Sequence, residues 1–252
     1  MTQEVTPIYL DWTFWAVVVA AIAVVLSQIP PIHQLIKKAK LDFELFSKIS
    51  LTHKIGNPNL QFHIFITNIG GRRIRIKGID AIIERDGENL TTLPAQNYLQ
   101  NPSDKNTVLF TNFSLNPGQD WGYIVNLLNF FGRQQENRYR GLEANILADY
   151  REKRSVLREN GNELIEVNRE NYEPFIDFFN EQFIWLPGEY RLTIRIKTDQ
   201  KSANISKSFR FTIFESHCEQ LREVTDSYKY GTGIWWDSDK ILNSVIIDVS
   251  EA

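Results

Sequence analysis

The sequence predicts a mainly β protein, with an N-terminal transmembrane helix followed by an antiparallel immunoglobulin-like β-sandwich that carries a helical insertion. Two observations support this fold class. One uncharged apolar run lies near the amino terminus, and about eight short segments beyond it alternate apolar and polar residues between Gly, Pro and Asn turns. With 23% charged residues in 252, the remainder of the chain is typical of a water-exposed domain.

Composition limits the class of protein. The net charge of −3 gives no global argument for a nucleic-acid-binding protein. Cys218 is the single cysteine, so an intramolecular disulfide is impossible and a disulfide-stapled secreted fold is excluded.

The apolar run has the length and flanks of a membrane span. No charged residue occurs from Trp12 to Ile29, and about 18 residues rise roughly 27 Å, close to the thickness of a hydrocarbon core. Pro30 and Pro31 end the predicted helix. A secretory signal peptide needs a basic n-region, but the first 36 residues contain no Lys or Arg. A buried core helix normally carries a polar stripe, which is missing here.

The lysines that follow the span predict its orientation. Lys37, Lys38 and Lys40 come directly after it, so the positive-inside rule places the amino terminus outside and the large domain in the cytoplasm, at the inner membrane. The predicted divisions are an extracytoplasmic segment 1–11, a transmembrane helix 12–29, a basic juxtamembrane segment 30–40 and a cytoplasmic domain 41–252 with a helical insertion at about 132–185.

Small residues form one seam of the predicted span. They recur at steps of three, four, three and four, which places them on a single helix face: Thr13, Ala16, Ala20, Ala23 and Ser27. Small side chains let helix backbones approach closely in lipid, so the small-residue seam favours a homo-oligomer.

The strand and helix signals in the domain are short and regularly spaced. Predicted strands cover 41–51, 60–67, 73–84, 107–115, 122–131, 189–198, 205–214 and 241–249, with a hairpin turn at 85–88. Helical periodicity occurs at 133–159, 172–186 and 215–228, where Pro174 suits a helix start. No linker-like stretch divides the domain, so one domain with an insertion is expected.

A dense group of basic residues is the candidate ligand-binding site: Arg72, Arg73, Arg75 and Lys77. On a strand, Arg73, Arg75 and Lys77 share one face while Ile74 and Ile76 take the other. This face suits the phosphates of a nucleotide or oligonucleotide. It also suits a merely solvated face that resists edge aggregation. The glycine- and aromatic-rich segment 228–239 likewise permits either stacking on a base or partner, or a buried Trp.

No pattern in the sequence indicates catalysis. His53 and His63 flank a turn and are placed to face each other across a hairpin, but no carboxylate is placed with them, so no metal site is predicted. Cys218 has no partnered base and is expected to be a helix-buried thiol. Phosphate-binding, dinucleotide, nucleophile-elbow and zinc-protease motifs are missing from the sequence. We therefore expect a non-enzyme without a cofactor.

The layout of one short N-out anchor, a basic junction and a cytoplasmic β-rich domain resembles the membrane effectors of bacterial anti-phage defence systems, such as those of the Hailong type. The resemblance implies a domain that senses a nucleotide or oligonucleotide and spans that permeabilise the inner membrane. It assigns no site residue. The alternative is a tethered, non-catalytic scaffold or adaptor that binds a partner protein encoded nearby.

Overall fold

The computed structural model describes residues 12–28, 38–101, 103–104, 106–156, 164–234 and 243–252. The predicted extracytoplasmic segment 1–11, residue Ile29 and the part of the juxtamembrane segment before Lys38 lie outside the described residues.

Eleven strands and four α-helices make up the described chain. The strands are β1 (Leu41–Lys54), β2 (Asn57–Asn68), β3 (Ile74–Arg85), β4 (Glu88–Leu99), β5 (Val108–Leu109), β6 (Phe113–Leu115), β7 (Asp120–Leu128), β8 (Gly188–Thr198), β9 (Ile205–Ile213), β10 (Val245–Asp248) and β11 (Ser250–Glu251). The helices are α1 (Trp12–Gln28), α2 (Arg133–Val156), α3 (Arg169–Gln182) and α4 (Glu215–Arg222), which continues into a 3-10 helix (Glu223–Tyr230).

All strand pairs are antiparallel, and nine strands follow one path, β10-β1-β2-β7-β4-β3-β8-β9-β11, while β5 pairs with β4 and β6 pairs with β3 beside that path. Strand β4 joins the two halves, because its first part pairs with β3 up to Pro94 and its last part pairs with β7 from Ala95. Proline has no amide to donate to a ladder, so it suits the point where β4 changes partner. The C-terminal residues bring the two ends of the path together, with β10 on β1 and β11 on β9.

The predicted β-rich antiparallel fold is confirmed, and it forms a nearly closed barrel. The finer likeness to immunoglobulin modules stays a prediction. Side chains of alternate residues fill the interior; along β8, for example, Tyr190, Leu192, Ile194 and Ile196 are buried while Arg191 and Arg195 are exposed. Because side chains fill the interior, the loops and helices lie at the two ends of the barrel.

The two ends of the barrel differ. At one end, α2, α3, α4 and the 3-10 helix form a helical cap over the β1–β2 hairpin. The backbone at Gly56 approaches the carbonyl of Phe179 in α3 so closely that a Cβ would overlap it. Trp185 Nε1 donates a 2.8 Å hydrogen bond to the carbonyl of Thr52. The opposite end, where β1 begins and β2 ends, is the entry end.

Helix α1 covers the predicted span over 17 residues, Trp12–Gln28. Its large apolar side chains are exposed: Trp12, Phe14, Trp15, Val17, Val19, Ile22, Val24, Val25 and Leu26. Across the described part of the chain, no helix combines the length and the apolarity needed to cross a membrane.

Several boundaries differ from the sequence prediction. Strand β4 is absent from the predicted set, because its polar residues and Pro94 give a weak strand pattern. Segment 107–115 forms two short strands, β5 and β6, instead of one. Helix α3 begins at Arg169, so Pro174 lies inside the helix and does not start it. Helices α2 and α3 lie in the interval where the insertion was predicted.

Candidate functional site at the entry end

The predicted basic stripe lies at the start of β3. Arg73, Arg75 and Lys77 are exposed, and Ile74 and Ile76 between them are fully buried. Arg72 is also exposed, in the turn that leads into the strand. The predicted division of these side chains between two faces is therefore confirmed, whereas a ligand on the exposed face stays a prediction.

Two lysines from a distant part of the sequence join this stripe. The amide of Gly70 donates a 3.0 Å hydrogen bond to the carbonyl of Lys40, and the amide of Gly71 donates a 3.3 Å bond to that of Lys38. Both lysine side chains are exposed. Gly70 permits this approach, because a Cβ there would lie 2.5 Å from the backbone nitrogen of Lys40. The resulting basic cluster is Lys38, Lys40, Arg72, Arg73, Arg75 and Lys77.

Asn68 holds the loops beneath the basic cluster. Its fully buried side chain donates 2.9 Å hydrogen bonds from Nδ2 to the carbonyls of Arg72 and Leu115. Its Oδ1 accepts a 3.0 Å bond from the amide of Gly70. A single buried amide therefore ties together the β2–β3 loop and β6, and it fixes the segment that carries Arg72 and Arg73.

The six side chains of the basic cluster form no ion pair with any other described residue. Two basic residues on the neighbouring strand β8, in contrast, do form ion pairs. Arg195 and Lys197 on β8 both contact the buried carboxylate of Asp80. The basic cluster is thus charge that the described fold does not use for its own pairing.

A shallow groove of 650 Å³ runs beside the cluster, lined by Arg73, Arg75, Asn112, Phe113, Ser114 and Asp199. The one carboxylate in this lining, Asp199, accepts a 2.9 Å hydrogen bond from the backbone amide of Arg75. Guanidinium, amide and hydroxyl groups remain as donors toward the groove. Such groups bind anionic oxygens, above all phosphate.

An aromatic cluster lines the inner side of the entry end: Tyr98, Phe110, Phe113, Trp121 and Tyr123. Trp121 is at its centre, stacked on Phe113 at 4.7 Å and edge-on to Tyr98 at 5.4 Å. All five rings are only partly buried. The sequence suggested none of this, since the residues come from three separate strands and one loop.

The small-residue seam lies entirely on α1. Thr13, Ala16, Ala20, Ala23 and Ser27 are exposed and share one face of the helix. Ser27 Oγ donates a 2.7 Å hydrogen bond to the carbonyl of Val24 in its own helix. The seam therefore presents only small side chains along one face of α1.

The two histidines do not face each other. His53 is paired with Pro58 beside the hairpin turn, whereas His63 is paired with Ile124 on the other side of β2. The side chain of His53 points into the helical cap, with its ring 5.0 Å from that of Phe179, and His63 is exposed. Among the described residues, no three His, Cys, Asp or Glu side chains come together as a metal site.

The other sequence candidates lie in the core or outside the described residues. Cys218 is buried in α4 as expected, and burial raises the pKa of its thiol. Tyr228 is fully buried, with its ring 4.9 Å from that of Phe175, so it offers no stacking surface. Trp235 and Trp236 lie outside the described residues.

No protein-family model and no curated protein matches this chain.

Proposed function

We propose that this chain is a single-pass, membrane-anchored binding protein without catalytic activity. In this proposal residues 12–29 form the anchor, and the barrel binds an anionic ligand through the basic cluster. The nine large apolar side chains exposed on α1 carry the proposal. Complete transfer of one large apolar side chain from water to an apolar environment is worth about 1.5–3 kcal/mol, so a lipid environment stabilises the exposed helix strongly. The proposed span is one residue longer than α1, because uncharged Ile29 follows Gln28 in the sequence.

The direction of the anchor follows from charge. The first 36 residues contain no Lys or Arg, and Lys37, Lys38 and Lys40 follow the apolar run. Basic residues stay preferentially on the cytoplasmic side of a span. We therefore place the amino terminus outside the inner membrane and the barrel in the cytoplasm.

The basic cluster is the second element of the proposal. Its six cations come from two parts of the chain, lie next to a groove and form no ion pair with the described residues. Exposed guanidinium and ammonium groups of this kind bind phosphate-bearing ligands. For this surface the sequence predicts a nucleotide or oligonucleotide, or a partner protein encoded nearby, as the ligand.

Membrane flotation and a C-terminal reporter test the anchor. The full chain is expected to float with membranes, to resist extraction at alkaline pH, and to show activity of a cytoplasmic reporter fused after Ala252. Val19→Arg, which places a charge at the helix centre, costs about 2.5–3.5 kcal/mol of insertion and should release the chain. Val19→Leu is the matched control. A chain that washes off at alkaline pH, or an active periplasmic reporter, contradicts the proposal.

The permeabilising role in bacterial defence extends this proposal and rests on the layout of the chain. It requires several copies of α1 to associate through the small-residue seam, since a lone span cannot line a pore. The scaffold role requires only the anchor and the binding domain. Substitutions in the seam therefore separate the two roles.

A further inference from the structure

We infer that the entry end of the barrel docks on anionic lipid headgroups of the same membrane, with the basic cluster as its contact surface. This inference rests on the proposed membrane anchor and names the ligand class of the same site. Four observations carry it: the charge of the entry end, the exposed aliphatic residues beside it, the ring of aromatic side chains behind it and the short connection to α1.

The entry end is the positive end of the domain. Its described segments (38–42, 68–77, 99–101, 103–104, 106–120 and 197–205) contain eight Lys or Arg and four Asp, a net charge of +4. The helical cap at the opposite end is acidic: α2, α3, α4 and the 3-10 helix contain twelve Asp or Glu and nine Lys or Arg. An anionic surface therefore attracts the entry end and repels the cap.

Exposed aliphatic residues accompany the positive charge. Leu109 is 73% exposed in β5, Val108 beside it is also exposed, and Ile69 is exposed in the same loop as Arg72. Aliphatic side chains at loop tips enter the acyl boundary while neighbouring Lys and Arg side chains stay at the headgroups. The cap also has exposed apolar residues, such as Phe130 and Phe214, but its net charge has the opposite sign.

The aromatic cluster suits the same boundary. Trp121 and Tyr98 are partly exposed at the entry end, and rings of this type favour the interface between hydrocarbon and headgroups. The aromatic cluster lies directly behind the exposed strand β5, because Tyr98 is paired with Val108. Docking would thus bring basic, aliphatic and aromatic groups to a membrane surface together.

The chain connection limits how far the entry end can be from the membrane. Residues 29–37 separate α1 from Lys38, so even a fully extended connection spans at most about 35 Å. Lys38 and Lys40 belong to the basic cluster themselves and are bound to Gly71 and Gly70. The anchor therefore keeps the basic cluster at high effective concentration beside the headgroups, and docking needs only weak individual contacts.

A soluble nucleotide offers the same phosphate chemistry, but three features favour lipid. The groove beside the cluster is shallow, the six cations spread over two segments rather than converge on one point, and exposed aliphatic residues flank them. A nucleotide pocket typically encloses its ligand and places few polar groups at convergent positions. We therefore assign the surface to lipid headgroups.

The test uses the full chain reconstituted in vesicles. A fluorescent label is attached at Thr111→Cys, an exposed position at the entry end, in a Cys218→Ser background, and energy transfer is measured to acceptors on the lipid headgroups. A second protein carries the label at Ser216→Cys, exposed on the helical cap. Vesicles contain phosphatidylcholine alone, or with about 30% phosphatidylglycerol to set a negative surface potential.

Transfer from Thr111→Cys should rise in the anionic vesicles and fall back in about 0.5 M NaCl, whereas transfer from Ser216→Cys should not rise. The variant Arg73→Gln/Arg75→Gln/Lys77→Gln should lose the rise. At about fivefold per basic residue, the docked-to-undocked ratio falls on the order of 100-fold. The matched control Arg151→Gln/Arg191→Gln/Arg210→Gln removes the same charge from exposed positions elsewhere. It should keep the rise, and circular dichroism should report an intact fold for both.

The failures are distinguishable. A chain that does not float with either type of vesicle overturns the proposed anchor and the docking together. A chain that floats, but with equal transfer in neutral and anionic vesicles, overturns the docking alone. Equal transfer combined with saturable binding of a soluble oligonucleotide, lost in the Arg73/Arg75/Lys77 variant, assigns the site to a soluble ligand instead.

Discussion

The Nε2 atom of His53 lies 2.7 Å from the carbonyl oxygen of Leu221, and this hydrogen bond joins the β1–β2 hairpin to α4 of the helical cap. The other ring nitrogen, Nδ1, accepts a 3.2 Å bond from the amide of Gly56. The ring therefore satisfies both neighbours as a neutral imidazole with its proton on Nε2. A second proton would break the bond from Gly56 and place a charge among the rings of Phe179 and Phe183.

The first prediction is a loss of stability at acidic pH that depends on His53. The pKa of His53 is lowered from 6.5 to about 4, mainly by burial; the bond to Leu221 opposes the shift and the charge of Arg222 contributes to it. The unfolded chain thus takes up a proton at a higher pH than the folded chain. Titration of His53 therefore leaves the free energy of unfolding unchanged above pH 6.5. It lowers that free energy by about 3 kcal/mol as the pH falls toward 4.

The measurement is the free energy of unfolding in detergent against pH. His53→Gln should be less stable than wild type at neutral pH and should lose less stability between pH 6.5 and 4. His63→Gln, at an exposed position on the adjacent strand, should keep the wild-type dependence. An identical pH dependence for His53→Gln and wild type would show that the ring is not desolvated.

The second prediction compares two glycines with the same backbone conformation. Gly56 (φ +81°) and Gly87 (φ +83°) each follow a residue with positive φ in a two-residue hairpin turn. A Cβ at Gly87 would meet nothing within 4 Å, whereas one at Gly56 would overlap the carbonyl of Phe179. Gly87→Ala should cost about 1–2 kcal/mol for the left-handed conformation alone.

Gly56→Ala adds displacement of α3 to this conformational cost and should lose about 3 kcal/mol or more. Denaturant unfolding of the two variants gives the comparison. Similar losses at both positions would mean that the helical cap does not rest tightly on the β1–β2 hairpin.

The sequence predicted the part of the candidate site that lies on β3, but not the part that Lys38 and Lys40 contribute. Alternation of basic residues with isoleucine was enough to place Arg73, Arg75 and Lys77 on one face of β3, because side-chain direction in a strand has a period of two. Lys38 and Lys40 joined them only through hydrogen bonds to Gly70 and Gly71, about thirty residues away. No local pattern contains that pairing.

Prediction of the strands from local sequence patterns has the same limit. Strands rich in isoleucine and phenylalanine were predicted close to their observed bounds, since their apolar residues fill the barrel. Strand β4 was missed because its sequence, ENLTTLPAQNYL, is largely polar and only Leu93 is deeply buried. Its stability as a strand comes from pairing with β3 on one side and β7 on the other, which is a property of the sheet and not of the segment.

The third prediction concerns Asn68, whose buried amide supports the basic cluster. Asn68→Asp keeps the shape but replaces the Nδ2 donors to Arg72 and Leu115 with an acceptor, which leaves two carbonyls facing a carboxylate. The cost is about 2–4 kcal/mol. Amide hydrogen exchange at Gly70 and Gly71 should accelerate, because the loop loses its support.

The exposed Asn112, on the rim of the groove, provides the control: Asn112→Asp should leave stability and the exchange of both glycines unchanged. Slow exchange at Gly70 and Gly71 in Asn68→Asp would show that the loop is held by other contacts.

The last prediction separates a permeabilising effector from a scaffold. Ala20 and Ala23 lie on the small-residue seam of α1, and Val17 and Val25 lie on other faces of the same helix. If spans associate through the seam, Ala20→Leu or Ala23→Leu should weaken association by about 1–2 kcal/mol, because the added bulk separates the backbones. Val17→Leu and Val25→Leu should have little effect, since lipid accommodates either side chain.

Crosslinking in membranes reports association, and dye leakage from cells expressing the protein reports permeabilisation. An effector should lose both properties in the seam variants alone. A scaffold should retain its binding function in all four variants, and also when a foreign monomeric span replaces residues 12–29. If the chain with the foreign span still permeabilises cells, the seam has no part in the mechanism.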